Sequence, residues 1–165
     1  GWHNVYTQLA PPPPADFTTH ETEAGIVLAD KQGKTVYFYN CGDDSVDQLA
    51  CDHPDTTQAY RFAVCGGGDA AVCLQNFPPA LASKNAKSTS RAWSIVSIDP
   101  KTGHFAKADD PTALRVWAYR DRPLYTYSKD EPGEINAEGL GEFRSHRHGF
   151  IAFWIRDDFY GRENQ

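Results

Sequence analysis

His146 and His148 are the residues of this chain whose type and spacing most directly suggest chemistry. Two apart on a strand, they share a face, so both imidazoles can reach one ion, with a third ligand drawn from His104, His53, Glu138 or Glu142. Arg144 and Arg147 load the same segment with positive charge, which disfavours a cation and equally describes a solvated basic edge strand. With both histidines protonated, the stripe would bind an anion instead. Gly1-Trp2-His3 offers a second arrangement. If Gly1 is the natural terminus, its amine, two backbone amides and His3 can wrap Cu(II) or Ni(II) in a square plane. The alternative is an incidental histidine in a flexible segment.

Paired tyrosines form the third group. Tyr37 and Tyr39 point to one face of a strand, as do Tyr125 and Tyr127, and Trp117 precedes the second pair. Such surfaces can stack a sugar, an aromatic ligand or a porphyrin, with Asp130 fixing a polar group. The same residues also suit a two-layer core in which the hydroxyls bond to backbone and Asp130 braces a turn. The acidic loop with Asp130, Glu131, Glu134, Asn136 and Glu138 supplies oxygens, but it lacks the alternating ladder and terminal glutamate of a calcium loop. No Gly-x-Ser-x-Gly elbow, His-Glu-x-x-His helix, Cys-x-x-Cys-His haem attachment or phosphate loop occurs.

These residues sit on one pattern that appears twice. Val27 to Tyr39 and Val116 to Tyr127 each read as a short apolar strand, a polar turn and a second strand ending in Tyr-x-Tyr. Trp93 to Asp99 is a strand by β-branched alternation, Gly149 to Arg156 is the last strong strand, and Ala80 to Ala86 suits a short helix. The expected fold is mainly β, with duplicated antiparallel hairpins in one disulfide-stapled domain and at most short helices. Residues 1–24, with Pro11 to Pro14, read as an extended arm. The domain spans 25–156 in two related halves, about 25–106 and 107–156, and 157–165 is a polar tail.

At 165 residues, 40% hydrophobic and 13% aromatic, the chain can build one core. Its formal charge of -6 argues against a nucleic-acid partner. No stretch approaches the roughly 20 apolar residues of a membrane span, and no signal peptide is present. Cys41, Cys51, Cys65 and Cys73 are spaced too widely for a zinc ribbon. Two disulfides are the better reading; three connectivities are open, and Cys41 with Cys51 and Cys65 with Cys73 is the expected one. Disulfides imply an oxidising compartment, hence an exported protein, periplasmic or secreted, whose signal peptide has been removed.

The order of these pieces resembles the secreted-repeat lipoprotein family marked by a Tyr-x-aromatic-x-x-Asp motif, a group without a defined reaction. The resemblance rests on Tyr37-Phe38-Tyr39, Cys65 and Cys73, Phe77-Pro78-Pro79 where the family has Trp-Pro-Pro, and Trp93-Ser94-Ile95-Val96. Its most specific piece is Trp117-Ala118-Tyr119 with Pro123-Leu124-Tyr125-Thr126-Tyr127-Ser128-Lys129-Asp130. Cys41 and Cys51 look like additions, and no cysteine near residue 1 could carry a lipid. The resemblance implies an exported β-rich module. The leading functional expectation is a non-enzymatic module that binds a protein or cell-envelope partner through aromatic surfaces and the Pro-rich arm. The alternatives are a periplasmic accessory protein handling copper or haem, and an enzyme on a carbohydrate or aromatic substrate with Asp130 as acid or base.

Overall fold

The computed structural model describes residues 12–41, 66–67, 69–88, 90–140 and 148–155, with the backbone alone for Asn40, Cys41 and His148. Among these the strands are β1 (Phe17–Thr22), β2 (Gly25–Asp30), β3 (Tyr37–Cys41), β4 (Trp93–Ile98), β5 (Leu114–Tyr119), β6 (Arg122–Tyr125), β7 (His148–Ala152) and β8 (Trp154–Ile155). One helix is present, α1 (Ala70–Asn76). Every pairing is antiparallel, and the strands form two sheets, ordered β1-β2-β8 and β4-β5-β6-β3-β7. The fold is mainly β, as the alternation predicts. No helix among the described residues is long and apolar enough to cross a membrane.

The two hairpins read from the sequence differ in how far they close. β5 and β6 turn through Arg120 and Asp121, whose φ values of 48° and 67° are the left-handed pair of a two-residue turn that suits sheet twist. Neither residue is glycine. Arg120 N donates to Ala92 O at 2.8 Å, and its guanidinium lies 5.7 Å from the Tyr119 ring centroid, which helps hold the turn.

β2 and β3 close only beside their turn, through Asp30 N to Lys34 O (2.9 Å) and an Ala29–Thr35 bridge. They then part into different sheets, so the expected first hairpin is corrected to a strand pair split by a third chain segment. Phe153 is the wedge. Its amide donates to Val36 O (2.9 Å) and its carbonyl accepts from Leu28 N (2.9 Å), while Val36 N donates to Leu28 O (3.0 Å). Ala80 does the same in the second hairpin: Ala80 N donates to Leu124 O (2.8 Å) and Trp117 N to Ala80 O (2.9 Å).

That role explains why Ala80 to Ala86 is not the expected helix. The backbone of Ala80 and Leu81 is committed to β5 and β6, and Pro78-Pro79 removes two amides just upstream. The helix lies earlier, in a stretch read as loop. Asp69 caps it, accepting from Ala71 N (2.9 Å) and Val72 N (3.3 Å), and it closes at Phe77 before the prolines.

β3 and β6 run side by side at the centre, with Tyr37 opposite Tyr125 and Phe38 opposite Leu124. Alternation sends Tyr37, Tyr39, Tyr125 and Tyr127 to one face, with Cys73, Phe77, Phe150 and Ala152. Phe38, Leu124 and Val36 go to the other, with Phe17, Leu28, Trp93, Trp117, Tyr119 and Phe153. On the first face Phe77 and Phe150 stack at 3.7 Å with an interplanar angle of 3°. Tyr37 meets Phe77 edge-on at 6.4 Å, and Tyr125 meets Phe150 edge-on at 6.3 Å. Phe77–Tyr127 and Tyr39–Phe150 complete the set at 4.8 and 5.2 Å. The contacts pair off as a local two-fold between Tyr37 and Tyr125 would relate them.

Residues 17–22, read as arm, form β1. Phe17 is 7% exposed, 5.3 Å from Trp93 and 6.0 Å from Trp117 between ring centroids. Asp16 Oδ2 accepts from Trp117 Nε1 and Ser83 N, each at 2.8 Å. Those bonds hold the Asp16 carboxyl below its ordinary range against the opposing effect of burial. Residues 1–11 and the tail lie outside the described residues.

Candidate functional site

The node that gathers most of the motif residues is Tyr37 with Asp130. Tyr37 Oη donates to Asp130 Oδ2 at 2.5 Å and accepts from Ala137 N at 3.2 Å; Asp130 Oδ1 accepts from Asn136 N at 2.9 Å. Tyr37 is fully buried and Asp130 is 4% exposed. Burial, and after it the bond to Asp130, pushes the Tyr37 phenol far above its ordinary value, so it stays protonated. Chemically, this is a donor locked onto a carboxylate whose two oxygens are both occupied. Asp130, the motif aspartate of the second hairpin, therefore braces the motif tyrosine of the first.

The acidic loop after Asp130 is bound down in the same manner. Glu134 Oε1 accepts from Glu131 N (2.8 Å) and Asn136 Nδ2 (3.2 Å), and Glu134 O accepts from the buried Thr35 hydroxyl (2.8 Å). Gly133 N donates to Gly33 O at 3.0 Å, where Gly33 adopts φ 87° and a side chain would meet Pro132 at 3.2 Å. Glu138 accepts from Trp154 Nε1 (3.0 Å) and from Ala152 N. The carboxylates of Asp130, Glu134 and Glu138 all receive N–H or O–H donors. Among the described residues no group of three His, Cys, Asp or Glu is placed to hold a metal ion.

Tyr39 (6% exposed), Trp117 (1%) and Tyr125 (1%) are buried with Tyr37, and half-buried Tyr127 packs on Phe77. The expected exposed aromatic surface is thus corrected: these rings fill two cores, because alternation on a sheet packed on both sides leaves no open face at β3 and β6. Trp117 belongs to the opposite core from the tyrosines of its own hairpin. His3 and His146 lie outside the described residues, as do His53 and Glu142. His148 is placed by its backbone opposite Cys41 at the start of β7. His104 is an exposed residue of the turn after β4. Cys73 is buried and disulfide-bonded, and none of the described cysteines is free. The side chains of Cys41, Cys51 and Cys65 lie outside the described residues, and with them the expected pairings.

Sequence reasoning did not single out Asp16, Phe17, Phe77 and Phe150 as structural contacts. Phe17 stands before a Thr-Thr-His-Glu-Thr run whose β-propensity is a usable signal, and Phe77 precedes two prolines. Glu138 has no local signal, because the amide it caps is 14 residues away. No family model, curated protein or solved structure matches the chain.

Proposed function

We propose that this chain is an exported, non-catalytic binding or assembly module that engages a protein or cell-envelope partner, with the Pro-rich segment ahead of Asp16 as one contact element. The observation that carries the reading is the anchor at Asp16 and Phe17: two hydrogen bonds and a buried ring fix the point from which the preceding chain starts. A polyproline segment on a fixed base meets a partner at low entropic cost. The Tyr37–Asp130 pair and the acidic loop support the same reading, since their hydroxyl and carboxylates already serve the scaffold. The disulfide at Cys73 supports an oxidising compartment. The matched wedges at Ala80 and Phe153 and the paired aromatic contacts support two related halves, in line with the resemblance to the Tyr-x-aromatic-x-x-Asp family.

Cross-linking in the native host tests the proposal. The full chain should give a discrete adduct that is lost on deleting residues 1–11, with the thermal transition of the purified chain unchanged. The deletion must stop before Asp16, because a larger one would remove Phe17 from the core. An adduct that survives the deletion refutes the arm's role.

A further inference from the structure

We propose that the outer edge of β1 is a docking site for an extended segment of a partner polypeptide carrying Lys or Arg, added as a fourth strand to the β1-β2-β8 sheet. This deepens the binding-module reading and rests on it. The hydrogen bonds of β2 set which groups of β1 face outward. Leu28 and Asp30 direct their amides to Phe153 and Lys34, away from β1. In an antiparallel ladder the direction alternates, so Ala29 and Val27 bond to Thr18 and His20, their register partners. Phe17, Thr19 and Glu21 then turn their N–H and C=O groups to the free side.

Of those groups, Phe17 N donates to Pro14 O at 3.0 Å. The Phe17 carbonyl and both backbone groups of Thr19 and Glu21 have no partner among the described residues. The corresponding strand of the other half, β4, is covered. Trp93 N bonds to Ser90 Oγ (3.4 Å), Trp93 O accepts from Ser88 Oγ, Ser97 O accepts from Ala106 N (2.9 Å), and Ile98 bridges to Phe105. The cover comes from the long connection between β4 and β5; β1 and β2 are joined only through Glu23 and Ala24. β1 also lacks the usual protections of an edge strand: no Lys, no internal Pro and no break in register.

Charge selects the occupant. From Pro12 to Asp30 there is no Lys or Arg. The Asp16 and Asp30 carboxylates accept bonds from within the chain, whereas Glu21 and Glu23 are exposed without a partner among the described residues. A strand with basic side chains opposite Glu21 gains a cross-strand ion pair. A second copy would bring the same acidic edge against itself on a chain of formal charge -6.

The test uses the full chain and a dye-labelled acetyl-(Thr-Lys)4-amide peptide, read by fluorescence anisotropy at low salt. Saturable binding is expected, weakened roughly tenfold or more by replacing Lys with Glu in the peptide or by N-methylating alternate amides. Thr19→Pro should weaken it by a similar factor. That substitution removes an outward N–H and no β1–β2 bond, so the thermal transition should hold. Binding that Thr19→Pro leaves intact would reduce the effect to charge attraction and overturn the site, as would no binding to the unaltered chain. A dimer of the free chain that Thr19→Pro dissociates would overturn the occupant in favour of a second copy. The host cross-link separates the two proposals. An adduct that needs residues 1–11 but ignores Thr19→Pro keeps the module and overturns the edge; peptide binding without any host adduct keeps the edge and removes the module.

Discussion

Replacing Tyr37 with Phe should destabilise the fold by about 2–4 kcal/mol at neutral pH, and that difference should shrink in alkali. The hydroxyl donates to Asp130 Oδ2 and accepts from Ala137 N, within a fully buried side chain. Removing it leaves a buried carboxylate short of one donor and a buried amide without an acceptor, each worth about 1–3 kcal/mol, with some relaxation. Burial first, and the Asp130 bond second, raise the Tyr37 phenol above its ordinary value of 10.0. The folded chain therefore keeps its proton where the unfolded chain has released it. Stability from this shift is complete below pH 10 and is lost as pH climbs toward the folded value. Each unit above 10 removes about 1.4 kcal/mol. Phe at position 37 cannot titrate, and the other tyrosines are common to both chains. Urea unfolding of both, at pH 7, 9, 10 and 11 without reductant, should show their difference constant to pH 9 and smaller by about 1.4 kcal/mol at pH 11. A difference that stays constant to pH 11 would refute a phenol held neutral by burial. No loss at pH 7 would refute the brace itself.

Three further outcomes are expected. Phe17→Ala should lower stability by about 3–5 kcal/mol, read by urea unfolding, because the ring sits between Trp93 and Trp117. Replacing Arg120-Asp121 with Asn-Gly should raise stability by about 0.5–1 kcal/mol, since both positions are left-handed, and the thermal midpoint should rise. Glu138→Ala should destabilise by about 1–3 kcal/mol and speed hydrogen exchange at the Ala152 amide, which loses its acceptor.

Alternation and β-branched residues made most strands readable from the sequence: β2, β4, β5, β6 and β7 all fall in stretches that read as strands. β1 was hidden because its polar Thr, His and Glu residues look like solvated arm, and only Phe17 marks its buried side. The helix carried local signals in Asp69 and Pro78, but Ala80 to Ala86 offered a stronger propensity. That propensity loses to the hydrogen bonds that Ala80 makes with Leu124 and Trp117. The splitting of β2 from β3 depends on Phe153, far along the chain, and no local pattern contains it. Asp130 was readable as a motif residue. Its true partner is not the tyrosine beside it but Tyr37, 93 positions earlier.

The exchange of parts between halves constrains where function can reside. The second half supplies Phe153 to part β2 from β3 and Asp130 to hold Tyr37; the first supplies Ala80 to part β5 from β6 and Phe17 to cover Trp93. Neither half closes its hairpin or buries its aromatics alone, so the two must fold as one cooperative unit. The matched positions are consumed by that mutual support, and what remains for recognition is where the halves differ. The largest described difference is the connection after the first strand of each: two residues after β1, and a long loop after β4 that folds back over its own edge. If the two halves once had equal edges, the longer connection closed one of them and the shorter left the other open at Thr19 and Glu21. The asymmetry, rather than the motif, is the feature through which this scaffold can address another chain.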